Sequence, residues 1–364
     1  MTWLEFGIVL LRVLAAFGLL LGVTILNVWA ERKVVADMQS RIGPSRAGPF
    51  GILQTVADGL KLFFKEAITP RKAELGMYML APFLAVIPAF LIFMVVPWGA
   101  PIEVGDQVIA LQGTDLNIGL LFILAMSSMA VYAVVLAGWS SGSKYPLLGG
   151  IRATAQAISY EAAMGLAMVS VVVFTATQGD GGTLSLAEIV ARQSGNWGDV
   201  APIFSVVPRW NLLPQLVAFL IFLIAIVAET NRAPFDLVEA EQELVGGFHT
   251  EYSGMRFAMF FLAEYVNIFS MSAIAATLFL GGWNGPTFEG DVPMLVSAVL
   301  PTVWFLIKTY VIVFIFFWLR ATLPRLRYDQ LMTLGWKGLI PAALGWLALS
   351  AVVFGFRQFG APWS

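Results

Sequence analysis

The chain has 364 residues, of which 59% are hydrophobic and 12% charged, about half the charged share of a soluble protein. This composition excludes a soluble enzyme or binding module and predicts an all-α integral membrane protein with no soluble domain. A net charge of −2 points to no nucleic-acid partner, and the absence of cysteine excludes disulfides and thiolate-bound zinc or iron–sulfur clusters.

The N-terminus has neither a basic n-region nor a small-residue cleavage site, so it reads as a first span, about 6–30, and not as a removable signal. Arg12 within it is expected to snorkel to the near surface. From Glu31 to Glu74 the basic residues Arg32, Lys33, Arg41, Arg46, Lys61, Lys65, Arg71 and Lys72 outnumber the acids Glu31, Asp37, Asp58, Glu66 and Glu74. Inside this loop, 50–67 puts Leu53, Val56, Leu60, Phe63, Phe64 and Ala67 on one face and Gln54, Asp58, Lys61 and Lys65 on the other. That two-sided pattern predicts an amphipathic helix lying on the membrane surface; for Asp58 a simple ion pair with Lys61 at i+3 is the structural alternative to a functional role.

Seven further spans are predicted at about 76–97, 117–138, 153–177, 212–229, 255–281, 295–319 and 335–355, making eight within one polytopic domain. Loops 98–116 and 282–294 contain no Lys or Arg, whereas 31–75, 139–152, 230–254 and 320–337 carry most of the basic residues. The positive-inside rule therefore places the second set on the cytoplasmic side and both termini outside. Loop 178–211 has room for a short outer helix around Ser185 to Arg192.

The most unusual stretch is ETNRAPFDLVEAEQELVGGFHTEY, from Glu229 to Tyr252. It follows an apolar run and crowds Glu229, Asp236, Glu239, Glu241, Glu243 and Glu251 together, with Glu264 one span later. A solvated acidic loop is the bland reading. Against it stand Arg232 as the one evident counter-charge, Pro234 breaking the span, and the Asp236-x-x-Glu239 helix start, which predicts a helix ending at Gly246-Gly247. Glu239 and Glu243 would share a face at i, i+4, where like charges raise a carboxyl pKa and let protons reside. Within the spans, Glu161 lies about 13 Å deeper than Arg152 at ~1.5 Å per residue. Glu264 sits at similar depth and Lys308 near the middle of its span. A buried Lys308–glutamate pair is the structural alternative, but one lysine cannot satisfy both acids, and a line of buried acids is what a proton path needs. His249, the single histidine, argues against haem or a histidine metal site.

Four stretches, AERKVVADMQSRIGPSRAGPFGILQTVADGLKLFFKE, GWSSGSKYPLLGGIRATAQAISYE, AETNRAPFDLVEAEQELVGGFHTEYSGMRFAMFFLAEY and WLRATLPRLRYDQLM, closely resemble the H subunit of NADH-quinone oxidoreductase, respiratory complex I. The likeness covers essentially the whole chain; only 98–116 and 178–211 look individual. It implies a subunit of a proton-translocating enzyme of the bacterial inner membrane. Quinone would be its substrate, and this chain would bind no cofactor. FMN and iron–sulfur clusters would sit in partner subunits of the peripheral arm, next to small membrane and antiporter-like subunits. By the same resemblance the quinone chamber falls on Glu31, Arg32, Arg41, Arg46, Asp58 and Lys65; the amphipathic pattern of 50–67 adds Phe50, Phe63 and Phe64 as an apolar lip for the quinone tail. The proton path falls on Glu161, Glu229, Glu239, Glu241, Glu243, Glu251 and Glu264, and we add Lys308. Some members carry a further acid in the third or fourth span; here Glu161 is alone, so other subunits or water must complete the path. The alternatives are the related subunit of a membrane-bound hydrogenase or formate hydrogenlyase, which need not bind quinone, and a standalone ion transporter.

The topology has a direct test. In the cysteine-free parent, a cysteine at Ser45 should be shielded from impermeant maleimide in intact cells, while cysteines at Thr114 and Thr287 should react. Labelling of position 45 from outside would reverse the orientation.

Overall fold

The computed structural model describes residues 3–104, 107–178, 181–196, 208–237, 241–286 and 294–359. Among them, seven helices are long and apolar enough to cross a bilayer: Phe6–Met38, Leu75–Met94, Gly119–Ser140, Lys144–Ala176, Gly254–Phe279, Val299–Thr322 and Tyr328–Gly355. The molecule is an all-helical multi-pass membrane protein, with one small hairpin as its exception.

In chain order, α1 is Trp3–Met38, α2 Gln54–Phe64, α3 Leu75–Met94, α4 Gly119–Ser140, α5 Lys144–Ala176 and α6 Leu186–Arg192. Then come α7 Leu216–Glu229, α8 Glu241–Leu244, α9 Gly254–Phe279, α10 Met294–Thr322, α11 Tyr328–Thr333 and α12 Ile340–Phe359. A π-helical stretch, Leu334–Leu339, joins the last two.

Several bounds differ from the sequence reading, each for a local reason. No glycine or proline interrupts the chain between Gly22 and Gly43, so α1 continues past Ala30 and carries Glu31, Arg32 and Lys33 on its last turns. Helix α5 starts at Lys144, not near 153: Ser143 precedes it in an extended conformation, and Pro146 falls in the first turn, where a missing amide costs no intrahelical hydrogen bond. The expected eighth span is a helix of 14 residues, about 21 Å long and short of a ~30 Å hydrocarbon core. It packs against α5, α9 and α12. Strands β1 (Ile102–Val104) and β2 (Gln107–Ile109) pair antiparallel inside the loop after α3 that lacks Lys and Arg. The outer helix is found at Leu186–Arg192, with Ser185 Oγ accepting from the Glu188 amide. The helix expected from Asp236 is described only over Glu241–Leu244; Glu239 lies outside the described residues, as does the side chain of Glu241.

Helix α9 is the central column. Every residue from Ile268 to Phe279 is buried, and α1, α2, α3, α6, α7 and α10 all touch it. A helix buried on all sides must also satisfy its last carbonyls inside the protein. Gln193 Nε2 donates to the Thr277 carbonyl at 2.9 Å, Asn211 Nδ2 to Leu278 at 2.9 Å and the Leu212 amide to Phe279 at 2.9 Å. Lys308 from α10 completes the cap. Its Nζ donates to the carbonyls of Leu280 at 2.7 Å, Gly282 at 3.0 Å and Asn284, and it stands 4.6 Å from the Trp210 ring centroid.

Close backbone approach sets the other end of the bundle. A Cβ on Gly149 would lie 2.8 Å from Gly247 Cα, so only glycine lets the 247–249 turn sit directly on α5.

The cap predicts the behaviour of Lys308. Lys308→Met removes three donors from buried carbonyls and should destabilise the protein by about 2–3 kcal/mol, read as a lower Tm and lower yield in detergent. Retained stability in that variant would show the cap to be dispensable.

Candidate functional site

At the end of α1, Trp29 Nε1 donates to the Phe50 carbonyl at 3.0 Å and tethers the segment that leads into α2. Arg32 then reaches Asp58 at 2.6 Å, and Gln54 Nε2 donates to the other Asp58 oxygen at 3.1 Å. Asp58 is thus held from α1 and from its own helix; Lys61 is not its partner. These residues line an open groove of about 550 Å³ together with Arg41, Ile42, Gly43 and Pro44. Arg46 and Lys65 are exposed and lie outside the groove lining. Phe63 and Phe64 are 63% and 81% exposed on the apolar face of α2, edge to face at 5.3 Å.

Glu31 faces the other way, into the protein, where it is 4% exposed. It pairs with Arg320 of α10 and, at 3.3 Å, with Nη1 of Arg232. Arg232 is itself 7% exposed. Its Nε contacts Glu264 of α9 at 2.8 Å, and its guanidinium lies 4.6 Å from the Tyr265 ring centroid. Burial pulls the Arg232 pKa down, but the carboxylates of Glu264 and Glu31 outweigh it, so the guanidinium is held charged.

Glu264 also lines an internal cavity of about 100 Å³, which it shares with Ser127, Glu229, Asn231, His249 and Asn267. That is room for several water molecules at ~10–15 Å³ each. Across it, Ser127 Oγ donates to Glu229 at 2.7 Å, and the next residue of α4, Ser128, donates to Glu161 of α5 at 2.5 Å. The second Glu229 oxygen has no protein partner. Gln156 secures this region: its Nε2 donates to the carbonyls of Ala228 at 2.7 Å and Phe235 at 2.8 Å, locking the 228–235 segment to α5.

The structure therefore joins Glu31 to Glu264 through Arg232, places Glu264 and Glu229 on one cavity, and holds Glu161 on the serine next to that of Glu229; among the described residues, Lys308 and Glu243 have other partners. Lys308 sits on the carbonyls at the far end of α9, sixteen or more residues from Glu264 along the chain. The lysine–glutamate pair weighed as the structural alternative is not formed; the helix terminus supplies backbone carbonyls as the partners of Lys308 instead. Glu243 is clamped by Arg152 at 2.8 Å and Arg325 at 2.6 Å, so its counter-charges come from α5 and from the segment after α10. Arg232 is not the loop's only one. Glu251 is half-buried and offers its backbone carbonyl to Tyr78 Oη at 2.7 Å. Ser127, Ser128, Gln156, Tyr265, Arg320 and Arg325 escaped the sequence reading because single polar residues in apolar runs carry no pattern. Arg320 alone had a signal, an arginine closing a span beside further basic residues.

A family model described as NADH dehydrogenase matches residues 11–351. The H subunit of NADH-quinone oxidoreductase from Frankia casuarinae is 50% identical over 342 residues, which is 94% of this chain and 72% of that relative. The chain belongs to this family. No group of three or more His, Asp or Glu able to hold a metal occurs among the described residues.

His249 also lines the cavity. Rings of Phe248, Phe257 and Phe261 surround it, with centroids 5.0, 5.3 and 6.2 Å away. Burial, only partly opposed by Asp236, lowers its pKa from 6.5 to about 4. With the folded value depressed, the unfolded chain takes up the proton first as pH falls. The stabilisation is complete above about pH 6.5 and is lost down to about pH 4. The Tm should fall across that window in the parent and fall less in His249→Asn. Parallel Tm–pH curves would show that the ring is not desolvated.

Proposed function

We propose that this chain is the membrane subunit of a proton-translocating NADH:quinone oxidoreductase, forming one wall of the quinone chamber and the first part of the path that couples quinone reduction to proton movement. The observation that carries the reading is the buried run Glu31–Arg232–Glu264, continued through a cavity to Glu229 and Glu161. Carboxyl groups are expensive to bury in a membrane protein, and several gathered about one cavity are retained where protons pass.

The Arg32–Arg41–Asp58 groove stands at the chamber side. Arginines stabilise the negative charge that builds on a quinone head group as it is reduced, and Asp58 keeps the Arg32 guanidinium aimed into the groove. The apolar face of α2, with Phe63 and Phe64, suits a prenyl tail entering from the bilayer. Partner subunits would close the groove and hold the flavin and iron–sulfur centres that supply electrons; antiporter-like subunits would continue the path beyond Glu161. The chain would lie in the bacterial inner membrane with the groove on the cytoplasmic side. Glu239, Glu241 and Glu251 would form the acidic approach to the cavity.

Glutamine keeps the shape and hydrogen bonds of a protonated glutamate but cannot release a proton. Glu161→Gln and Glu229→Gln should therefore assemble into the complex and lower NADH-driven quinone reduction and proton uptake in membrane vesicles by about ten- to a hundredfold, normalised to assembled complex. Rates of the parent in both variants would remove the proton path and leave a quinone portal alone.

A further inference from the structure

The chamber side and the cavity are joined by one side chain. Arg232 uses Nη1 for Glu31 of α1 and Nε for Glu264 of α9, so both acids are engaged by the same guanidinium at once. We infer that Arg232 is a positioning residue that couples the two acids in opposite senses: a proton on Glu31 lowers the proton affinity of Glu264, so that a proton held on Glu264 leaves for the cavity. This rests on the proton-path reading for Glu264.

The charge balance of the cluster carries the argument. The groups that face one another are Glu31 from α1, Arg232 from the loop after α7, Glu264 and Tyr265 from α9, and Arg320 from α10. Of the other elements packed on α9, α3 brings no acid or base, and α6 brings Glu188 and Arg192, which pair with each other at 2.5 Å. Helix α7 brings only Glu229, across the cavity, and near the start of α9 Arg256 is turned to Thr69 at 3.0 Å. Helix α2 brings Asp58 and Lys61, the former held by Arg32. Two arginines thus face two carboxyl groups; Arg232 and Glu31 are shielded from solvent, so screening between them is weak, while Glu264 opens onto the cavity. When Glu31 takes up a proton, its repulsion of Glu264 vanishes and the Arg232 guanidinium no longer has to be shared. Both changes favour ionised Glu264. Linkage makes the effect reciprocal, so loss of the proton from Glu31 favours its return to Glu264. The planar arginine fork is required, since an ammonium is a point charge on a shorter reach and can serve only one of two acids on different helices.

The test uses the assembled complex in membrane vesicles. Proton uptake coupled to NADH-driven quinone reduction is followed against pH in the parent, Glu264→Gln, Glu31→Gln, Arg232→Lys and the double variant Glu31→Gln/Arg232→Lys. The limb missing in Glu264→Gln belongs to Glu264. Glu31→Gln, which mimics the protonated acid, should move that limb about one pH unit lower, and Arg232→Lys should shrink the displacement to roughly a third or less. An unmoved limb, or an equal displacement in the lysine background, would overturn the inference. A Glu264→Gln variant with the parent's profile and proton uptake would instead remove Glu264 from the path, and the inference with it. Should Arg232→Lys fail to assemble, infrared titration of the carboxyl band assigned through Glu264→Gln decides between the parent and Glu31→Gln. The same band midpoint in both would overturn the coupling.

Discussion

Everything distinctive about this molecule follows from the cost of keeping ionised side chains away from water. An uncompensated carboxylate in an apolar interior costs several kcal/mol, so each buried acid has to be met by a cation, a hydroxyl or solvent. Four solutions are visible. Glu31 is met by two arginines, Glu264 by the second arm of one of them, Glu161 and Glu229 by adjacent serines, and Glu243 by arginines at a wetter edge. The elements carrying these partners are then obliged to meet. Helices α1, α9 and α10 and the segment after α7 converge because Arg232 and Arg320 need Glu31 and Glu264.

The same constraint explains why the irregular backbone sits where it does. The chain leaves α7 at Glu229 and runs without regular structure past Pro234, which at membrane depth would expose unpaired amides and carbonyls. Gln156 satisfies two of those carbonyls, and the Leu326 amide takes the Pro234 carbonyl at 3.0 Å. Polar backbone and polar side chains share one region beside the cavity, which sets it apart from the apolar helix interfaces around it. At the opposite end of α9 the problem is solved the other way. A fixed cation, Lys308, and two side-chain amides close the helix terminus and leave a rigid pillar.

Much of the fold was legible in the sequence. Long apolar runs require bilayer-length helices, and seven of the eight expected spans are helices of that kind; the amphipathic segment before Leu75 is a helix with Phe63 and Phe64 outward. The helix limits were less legible. Leu216–Glu229 ends where the apolar run ends but starts at 216 and not at 212, just past Pro214, and so has only 14 residues.

The sequence by itself determined the membrane class, the acid-rich segment after α7 and the family resemblance that the comparisons bear out. Apolar length and a long linear motif are local properties and can be read one window at a time. Which acid meets which base was decided only by the tertiary structure. Glu31 and Arg320 are 289 residues apart and Glu31 and Arg232 are 201 apart, and no periodicity in either segment marks the other as its partner. Lys308 shows the limit most plainly. Its depth suggested a place among the acids, but the unsatisfied carbonyls at the end of α9 exist only once that helix is folded and packed, and they take the lysine.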